Sequence, residues 1–388
     1  MSTVAAPRPR LGLFEPEHED FRQSFRSFLE AEVVPAYADW EREGIVPREV
    51  FAAAGKSGFL GMALPEEHGG GGGVDDFRFN AVIAEEVADT GCVSFGINLH
   101  NDICLPYFLG LADAEQRARW MPGLASGDLI AAIAMTEPGT GSDLAGIRTT
   151  ARRDGDHYVL DGAKTFISNG MNADVVIVAA RTSEDRHCGL SLFVVERDTP
   201  GFARGRNLDK IGMHAQDTAE LFFDGARVPV TNLLGEEGGG FKALVGNLAQ
   251  ERMTIAVASV ASAAAALRQA LEYTRSRTVF GKPVSSYQNT RFELADVHTK
   301  VEMARAFVDS CLHELVAGTL TPERAAMAKL AASELQFSAV DRCLQLFGGY
   351  GYMTEYPIGR AFADARIGRI YGGTSEIMRE IIGRSLGV

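Results

Sequence analysis

The hydrophobic period changes twice along this chain, and few folds accommodate both changes. From residue 15 to about 130 the apolar residues recur at helical spacing. In EHEDFRQSFRSFLEAEVVPAYADWERE, Phe21, Phe25, Phe28 and Leu29 fall on one helix face with charge between them. Pro35 interrupts or bends that run. The HGGGGG stretch at 68–73 reads as loop, because neither helix nor strand tolerates so many glycines. Helical patterns resume in FNAVIAEEVADTG and EQRARWMPGLASG. From about 131 to 235 the period is two. GDHYVLDGAKTFIS, ADVVIVAART, GLSLFVVERD and AELFFDGARVP are rich in branched and aromatic residues and are separated by turns. No long helical runs alternate with them, which disfavours a doubly wound parallel sheet and favours an antiparallel barrel or sandwich. Beyond about 240 long amphipathic helices return, alanine-rich in VASVASAAAALRQALEYTRSR, and suggest an antiparallel bundle. The resulting division is 1–130, 131–235 and 236–388.

Charge and cysteine usage narrow the function classes. With a formal net charge of −13, a sequence-independent grip on nucleic acid or anionic membrane is disfavoured. Of the 38 basic residues 31 are arginine, which suits local recognition of phosphate or carboxylate. The five cysteines are scattered and form no C-x-x-C, so a disulfide framework or a zinc site is not expected and a reducing compartment is. The start, MSTVAAPRPRLGLF, lacks the apolar stretch of a signal peptide, and no later segment reads as a membrane span. The expectation is a cytoplasmic protein with no metal site.

Several catalytic signatures are missing. No G-x-G-x-x-G follows a strand, AAAGKSG lacks the upstream glycine of a P-loop, and neither H-E-x-x-H nor G-x-S-x-G occurs. Four other segments stand out: AMTEPGTGSDLAG (134–146), KTFISNG (164–170), RSRTVFGKPVSSYQ (275–288) and the glycine-rich run from Gln345 to Arg384. Gly139 and Gly141 can turn backbone N–H groups toward an anion, and Thr136 and Ser142 add hydroxyls. Gly372 and Gly373 precede a helix start at TSEI, where free N–H groups favour anions and carbonyls. Taken singly, each segment is more often structural than functional.

In combination and order they resemble the acyl-CoA dehydrogenase family over nearly the full chain, through T-E-P-G-T-G-S-D, F-I-S-N-G, R-T-V-F-G-K-P and Q-L-F-G-G-Y-G-Y. The resemblance implies an α+β fold: an N-terminal helical domain, a central antiparallel β-barrel and a C-terminal four-helix-type bundle. It implies FAD between the barrel and the bundle, an acyl-CoA substrate, electron-transfer flavoprotein as acceptor and a homotetramer. It assigns Met135, Thr136, Gly141 and Ser142 to the isoalloxazine and pyrophosphate, with Ser142 also on the substrate side. Phe166 would cover the flavin, with Ile167 and Ser168 near its N5. Arg277, Phe280, Gln288, Gln345, Gly348 and Gly349 would reach the FAD of a neighbouring subunit, and Thr374 and Glu376 would approach FAD near the last helix. Arg252, Tyr371 and Gly373 would lie against substrate.

One departure matters. Where short- and medium-chain members carry a catalytic glutamate in Y-E-G-T, this chain reads Tyr371-Gly372-Gly373-Thr374. Long-chain and isovaleryl types take the base from an earlier helix, at Q-E-R, and Glu251 stands in that place in NLAQERMTIAV. It also falls on a line with Leu244, Leu248 and Ile255, so a helix there carries its carboxylate on an apolar face. The competing reading of that carboxylate is an ion pair with an arginine on a neighbouring helix. By resemblance Gly372 keeps a catalytic part through its N–H, which with a ribityl hydroxyl would hold the thioester oxygen. Restoring a carboxylate by Gly372→Glu is expected to compensate in part for loss of Glu251. A flavin monooxygenase or oxidase on the same fold, or a non-catalytic partner subunit, are the rival functions. The acyl group stays open among long, branched and steroid side-chain thioesters.

Overall fold

The computed structural model describes residues 12–73, 76–186 and 188–388. Most of the N-terminal stretch on which the leader expectation rests, residues 1–11, lies outside them. The first region is helical: α1 (Pro16–Phe28), α2 (Tyr37–Glu43), α3 (Arg48–Lys56), α4 (Phe77–Thr90), α5 (Leu105–Leu111) and α6 (Ala114–Ser126). Local chemistry sets the ends. Asp76 caps α4 by accepting from the Arg78 N–H, and Gly91 closes it in the left-handed conformation. Asp113 and Gln116 form a reciprocal capping box on α6, and Gly127 terminates it. Before α5 the chain makes a wide π-helical turn, Leu99–Cys104, a feature often found beside functional sites.

The second region forms a sheet of β1 (Ala131–Ala134), β2 (Thr150–Asp154), β3 (His157–Ser168), β4 (Val175–Arg181), β5 (Leu190–Glu196), β6 (Phe202–Asn207), β7 (Thr218–Pro229) and β8 (Leu233–Leu234). Its order is β6-β7-β3-β2-β4-β5-β8, with β1 also on β4. Most neighbours are antiparallel, as the alternation predicts, but β1 and β2 both meet β4 in parallel. Buried β4 and β5 read as nearly continuous apolar runs, because helices cover one face and the sheet core fills the other.

The C-terminal region holds α7 (Gly240–Ser276), α8 (Gln288–Val316), α9 (Pro322–Gln345), α10 (Pro357–Ala365) and α11 (Ser375–Ser385). Between α7 and α8 a small hairpin, β9 (Thr278–Val279) and β10 (Lys282–Pro283), carries Phe280 at its tip. The alanines of α7 at 263–266 and 270 are buried and let α9 approach closely. This helix corrects one expectation. By length and apolarity α7 alone among the described residues could cross a membrane, and the sequence reading missed it. Its apolar window is nevertheless 72% buried against α4, α8 and α9, so it serves as a core helix here.

Candidate active site

Glu251 lies in α7 with 4% of its surface exposed. Leu244 and Ile255 on the same face are buried, whereas Leu248 is only half-buried. The ion-pair alternative fails: among the described residues no cation bridges Glu251. Its Oε1 instead accepts a hydrogen bond of 3.1 Å from the hydroxyl of Tyr107, on α5. Burial pushes the Glu251 carboxyl up to about 7, with the Tyr107 hydrogen bond and the Arg252 charge only partly opposing it. The group is thus poised to exchange a proton near neutrality. Arg252, the next residue, is itself 5% exposed, and its Nε has no hydrogen-bond partner.

The glycine turn comes to this place from the far end of the chain. A β-carbon on Gly372 would overlap Ile255 Cδ1, four residues beyond Glu251, so turn and helix are in contact. Gly372 and Gly373 have φ of 62° and 92°, a region that strains any side chain-bearing residue. Among the described residues none accepts a hydrogen bond from the Gly372 N–H. A glutamate at 372 would have to displace the Ile255 Cδ1 methyl and hold a left-handed backbone, so the compensation expected of Gly372→Glu carries a conformational cost. Tyr371 is 41% exposed at the same turn. Thr374 caps α11 by accepting from the Ile377 N–H, and Glu376 is exposed in its first turn.

A second constellation forms on the sheet. Between Lys164 and Ile167 strand β3 has one more residue than its partner β7, a bulge that re-aims the chain. Phe166 sits in it at φ 60°, a conformation rare for an aromatic residue, and holds its ring 67% exposed. Such strain persists where the surroundings impose it, commonly at ligand sites. Ile167 beneath is buried and Ser168 half-buried. The Thr165 N–H donates to the Thr136 carbonyl at 3.0 Å, and Lys164 Nζ to the Met135 carbonyl at 3.1 Å, so the 135–142 loop lies beside Phe166. Gly141 and Ser142 are exposed on that loop. Lys164, fully buried, also pairs with Glu137 at 2.9 Å, and Glu137 accepts from the N–H groups of Arg148 and Thr149. Burial alone would raise the Glu137 carboxyl, but Lys164 and those donors hold it below its ordinary value. An exposed aromatic face beside open hydroxyls and a braced glycine loop fits a flat, hydrogen-bonding ring system with a phosphate tail.

The third group is gathered apart from Glu251. Arg277, Gln345, Gly348 and Gly349 line one surface cleft of about 550 Å³, together with Tyr350 and Met353. Phe280 is 97% exposed at the hairpin tip, and Gln288 is exposed at the start of α8. Four residues escaped the sequence reading: Tyr107, Lys164, Lys329 and Asp102. Asp102 is buried in the π-helical turn, pushed up to about 7 by burial, and accepts from Asn80 and Asn98. The only available signal for Tyr107 and Asp102 was their place in a stretch, 94–108, facing the Glu251 helix.

Three family models match successive parts of the chain. Residues 15–128, 132–226 and 238–387 match the models described as the acyl-CoA dehydrogenase N-terminal, middle and C-terminal domains. The chain is 47% identical over 377 residues to the mitochondrial long-chain specific acyl-CoA dehydrogenase of Sus scrofa, covering 96% of this chain and 87% of that one. A crystal structure of an acyl-CoA dehydrogenase from Geobacillus kaustophilus aligns with a TM-score of 0.94 at 47% identity, covering 97% and 99% of the two chains. A glutaryl-CoA dehydrogenase from Mycobacterium smegmatis, solved in complex with FADH2, aligns with a TM-score of 0.90 at 30% identity, covering 96% and 95%.

Proposed function

The chain belongs to the acyl-CoA dehydrogenase family, and from that premise we propose that Glu251 is the base in its FAD-dependent dehydrogenation of an acyl-CoA thioester. The observation that carries the assignment is the burial of this carboxyl against Tyr107, with no cation bridging it among the described residues. Glu251 takes the Cα proton, the Cβ hydrogen leaves as hydride, and a trans Cα=Cβ bond forms. When bound, FAD supplies the acceptor for that hydride. The free N–H of Gly372 donates to the thioester oxygen as negative charge builds there, a contact typically worth about 3 kcal/mol of barrier. Arg252, Tyr371, Gly373 and Ser142 flank the substrate in this reading. Met135, Thr136, Gly141, Ser142, Phe166, Ile167, Ser168, Thr374 and Glu376 hold the cofactor.

Placing Arg277, Phe280, Gln288, Gln345, Gly348 and Gly349 on a second copy's FAD explains why Arg277, Gln345, Gly348 and Gly349 line a surface cleft remote from Glu251 while Phe280 and Gln288 are exposed. That arrangement requires an oligomer, and we take it to be a homotetramer. A cytoplasmic location and transfer of electrons to an electron-transfer flavoprotein complete the proposal; five unpaired thiols support a reducing compartment. Anaerobic addition of acyl-CoA to the purified yellow protein is expected to bleach the flavin within the turnover time, with slow reoxidation in air. A panel of thioesters graded in length and branching then identifies the acyl group. Fast reoxidation would instead favour an oxidase, and no bleaching with any thioester a non-catalytic subunit.

Tyr107 gives a separate check on the base. Its hydroxyl favours the ionised form of Glu251, so Tyr107→Phe raises the carboxyl's pKa further. The acid limb of the kcat/KM profile is expected to move up by about one pH unit, a size set by hydrogen bonds to charged groups. Activity near pH 6 falls more than activity near pH 9. An unmoved limb would separate Tyr107 from the titrating group.

A further inference from the structure

Two of the chain's seven lysines are wholly buried. Lysine is rarely found so, because its ammonium must be stripped of water. Lys164 braces the 135–142 loop, as described above. Lys329, in the first half of α9, has no carboxylate within ion-pair distance among the described residues. Its Nζ donates to the carbonyl of Gly373 at 2.8 Å. Burial, with the nearby Arg252 guanidinium, brings its ammonium down to about 8, although Glu334 and Glu376 favour its charge. An apolar residue would fill this site at less cost. The lysine is therefore being used for its hydrogen bond.

That bond reaches the one part of the site without side chains of its own. On one side of the glycine pair the Tyr371 N–H is tied to the Ile367 carbonyl at 3.1 Å. On the other, Thr374 caps α11 and Ser375 Oγ donates to Glu334 at 2.7 Å. Between these anchors Gly372 and Gly373 have the widest backbone freedom of any residues. Lys329 fastens them from beneath, and Ile255 presses on Gly372 from α7.

We infer that Lys329 is a positioning residue for the dehydrogenation: by holding the Gly373 carbonyl it fixes the glycine turn in the conformation that presents the Gly372 N–H to the thioester oxygen. The inference rests on Gly372 N–H being that donor, but not on Glu251 being the base. An oxyanion contact acts through its direction, so a turn free to rotate loses much of the effect while substrate still binds.

The test uses FAD-loaded enzyme and two readouts. In Lys329→Met, kcat is expected to fall about 10- to 100-fold, less than outright loss of a donor. KM and flavin content stay near the parent values. In the Glu251→Gln background, where thioester is bound without turnover, isotope-edited infrared spectra of a ¹³C=O-labelled acyl-CoA report polarisation directly. Adding Lys329→Met is expected to move the carbonyl stretch toward its frequency in water. Should Lys329→Met not retain FAD, Lys329→Leu, which likewise offers no donor to the Gly373 carbonyl, takes its place in both measurements. An unmoved carbonyl stretch, an unchanged kcat, or loss of activity in proportion to loss of flavin in both variants would overturn the inference and leave Lys329 a framework residue. Full turnover by Glu251→Gln alone would instead sink the base assignment, and the infrared comparison would then be made with a thioester lacking a Cβ hydrogen.

Discussion

Glu251→Gln is expected to reduce kcat by roughly 10³–10⁴-fold while the protein stays yellow, at the upper end of what general-base catalysis contributes. The carboxamide keeps the size of the side chain and can still accept from Tyr107, so neither packing nor the cofactor loop is disturbed. Only the ability to take a proton is lost. The same substitution is expected to stabilise the protein above neutrality. The carboxyl's folded-state pKa of about 7 lies above that of an unfolded glutamate. Below the unfolded value both states are protonated and the site costs nothing. As pH rises through that value toward 7, the buried charge comes to oppose folding, by roughly 3 kcal/mol once fully ionised. Thermal unfolding of the two proteins before FAD is added should coincide near pH 4.5 and separate by pH 8.5, the variant melting higher. Identical melting at both pH values, or a variant with parental turnover, would remove Glu251 from the mechanism. The stability lost to hold an uncompensated carboxylate is what gives the base its strength.

The second large effect is expected at Lys164→Met. Removing one partner of a buried pair leaves the other charge stranded, typically at about 3–5 kcal/mol. Glu137 is 7% exposed and keeps only the Arg148 and Thr149 N–H groups. The Met135 carbonyl loses its tie as well, so the loop beside Phe166 loosens. Flavin is expected to be lost on gel filtration, and apoprotein to unfold at lower temperature. Because Lys164 depresses the Glu137 carboxyl, the parent's advantage is full above the ordinary carboxylate range and fades as pH falls below it. Adding Glu137→Gln should recover much of the stability, since it removes the stranded charge and retains an acceptor. If the double variant is no better than the single one, the loss comes from packing rather than charge.

How far the sequence could be read depended on whether the relevant contacts were local. The helical, β, helical order follows from residue periodicity, and the Thr374 cap from its place before SEI. Glu251 was visible because its apolar neighbours lie on the same helix turn. Its partner was not, since Tyr107 is 144 residues away and reaches it only when α5 packs on α7. The parallel join of β1 to β4 was equally hidden, as alternation fixes which face a residue takes but not which strand lies alongside. Lys164 shares the inward phase of Tyr158 and Leu160, but its partner Glu137 lies 27 residues away on a loop that periodicity does not place. In α7 the alanines suit close helix packing and membrane crossing alike, and only the neighbouring helices decide between them.

The crowding of Gly372 by Ile255 constrains how such a site can change over time. A lineage in which the proton acceptor moved from this helix to the glycine turn would pass through a misfit if glutamate arrived at 372 first, and through an idle enzyme if Glu251 departed first. Trimming Ile255 to a smaller residue opens a neutral route between the two arrangements. Sequences carrying the acid at one place are therefore expected to carry a matching bulk at 255, two positions that inherit each other's history although 117 residues separate them along the chain.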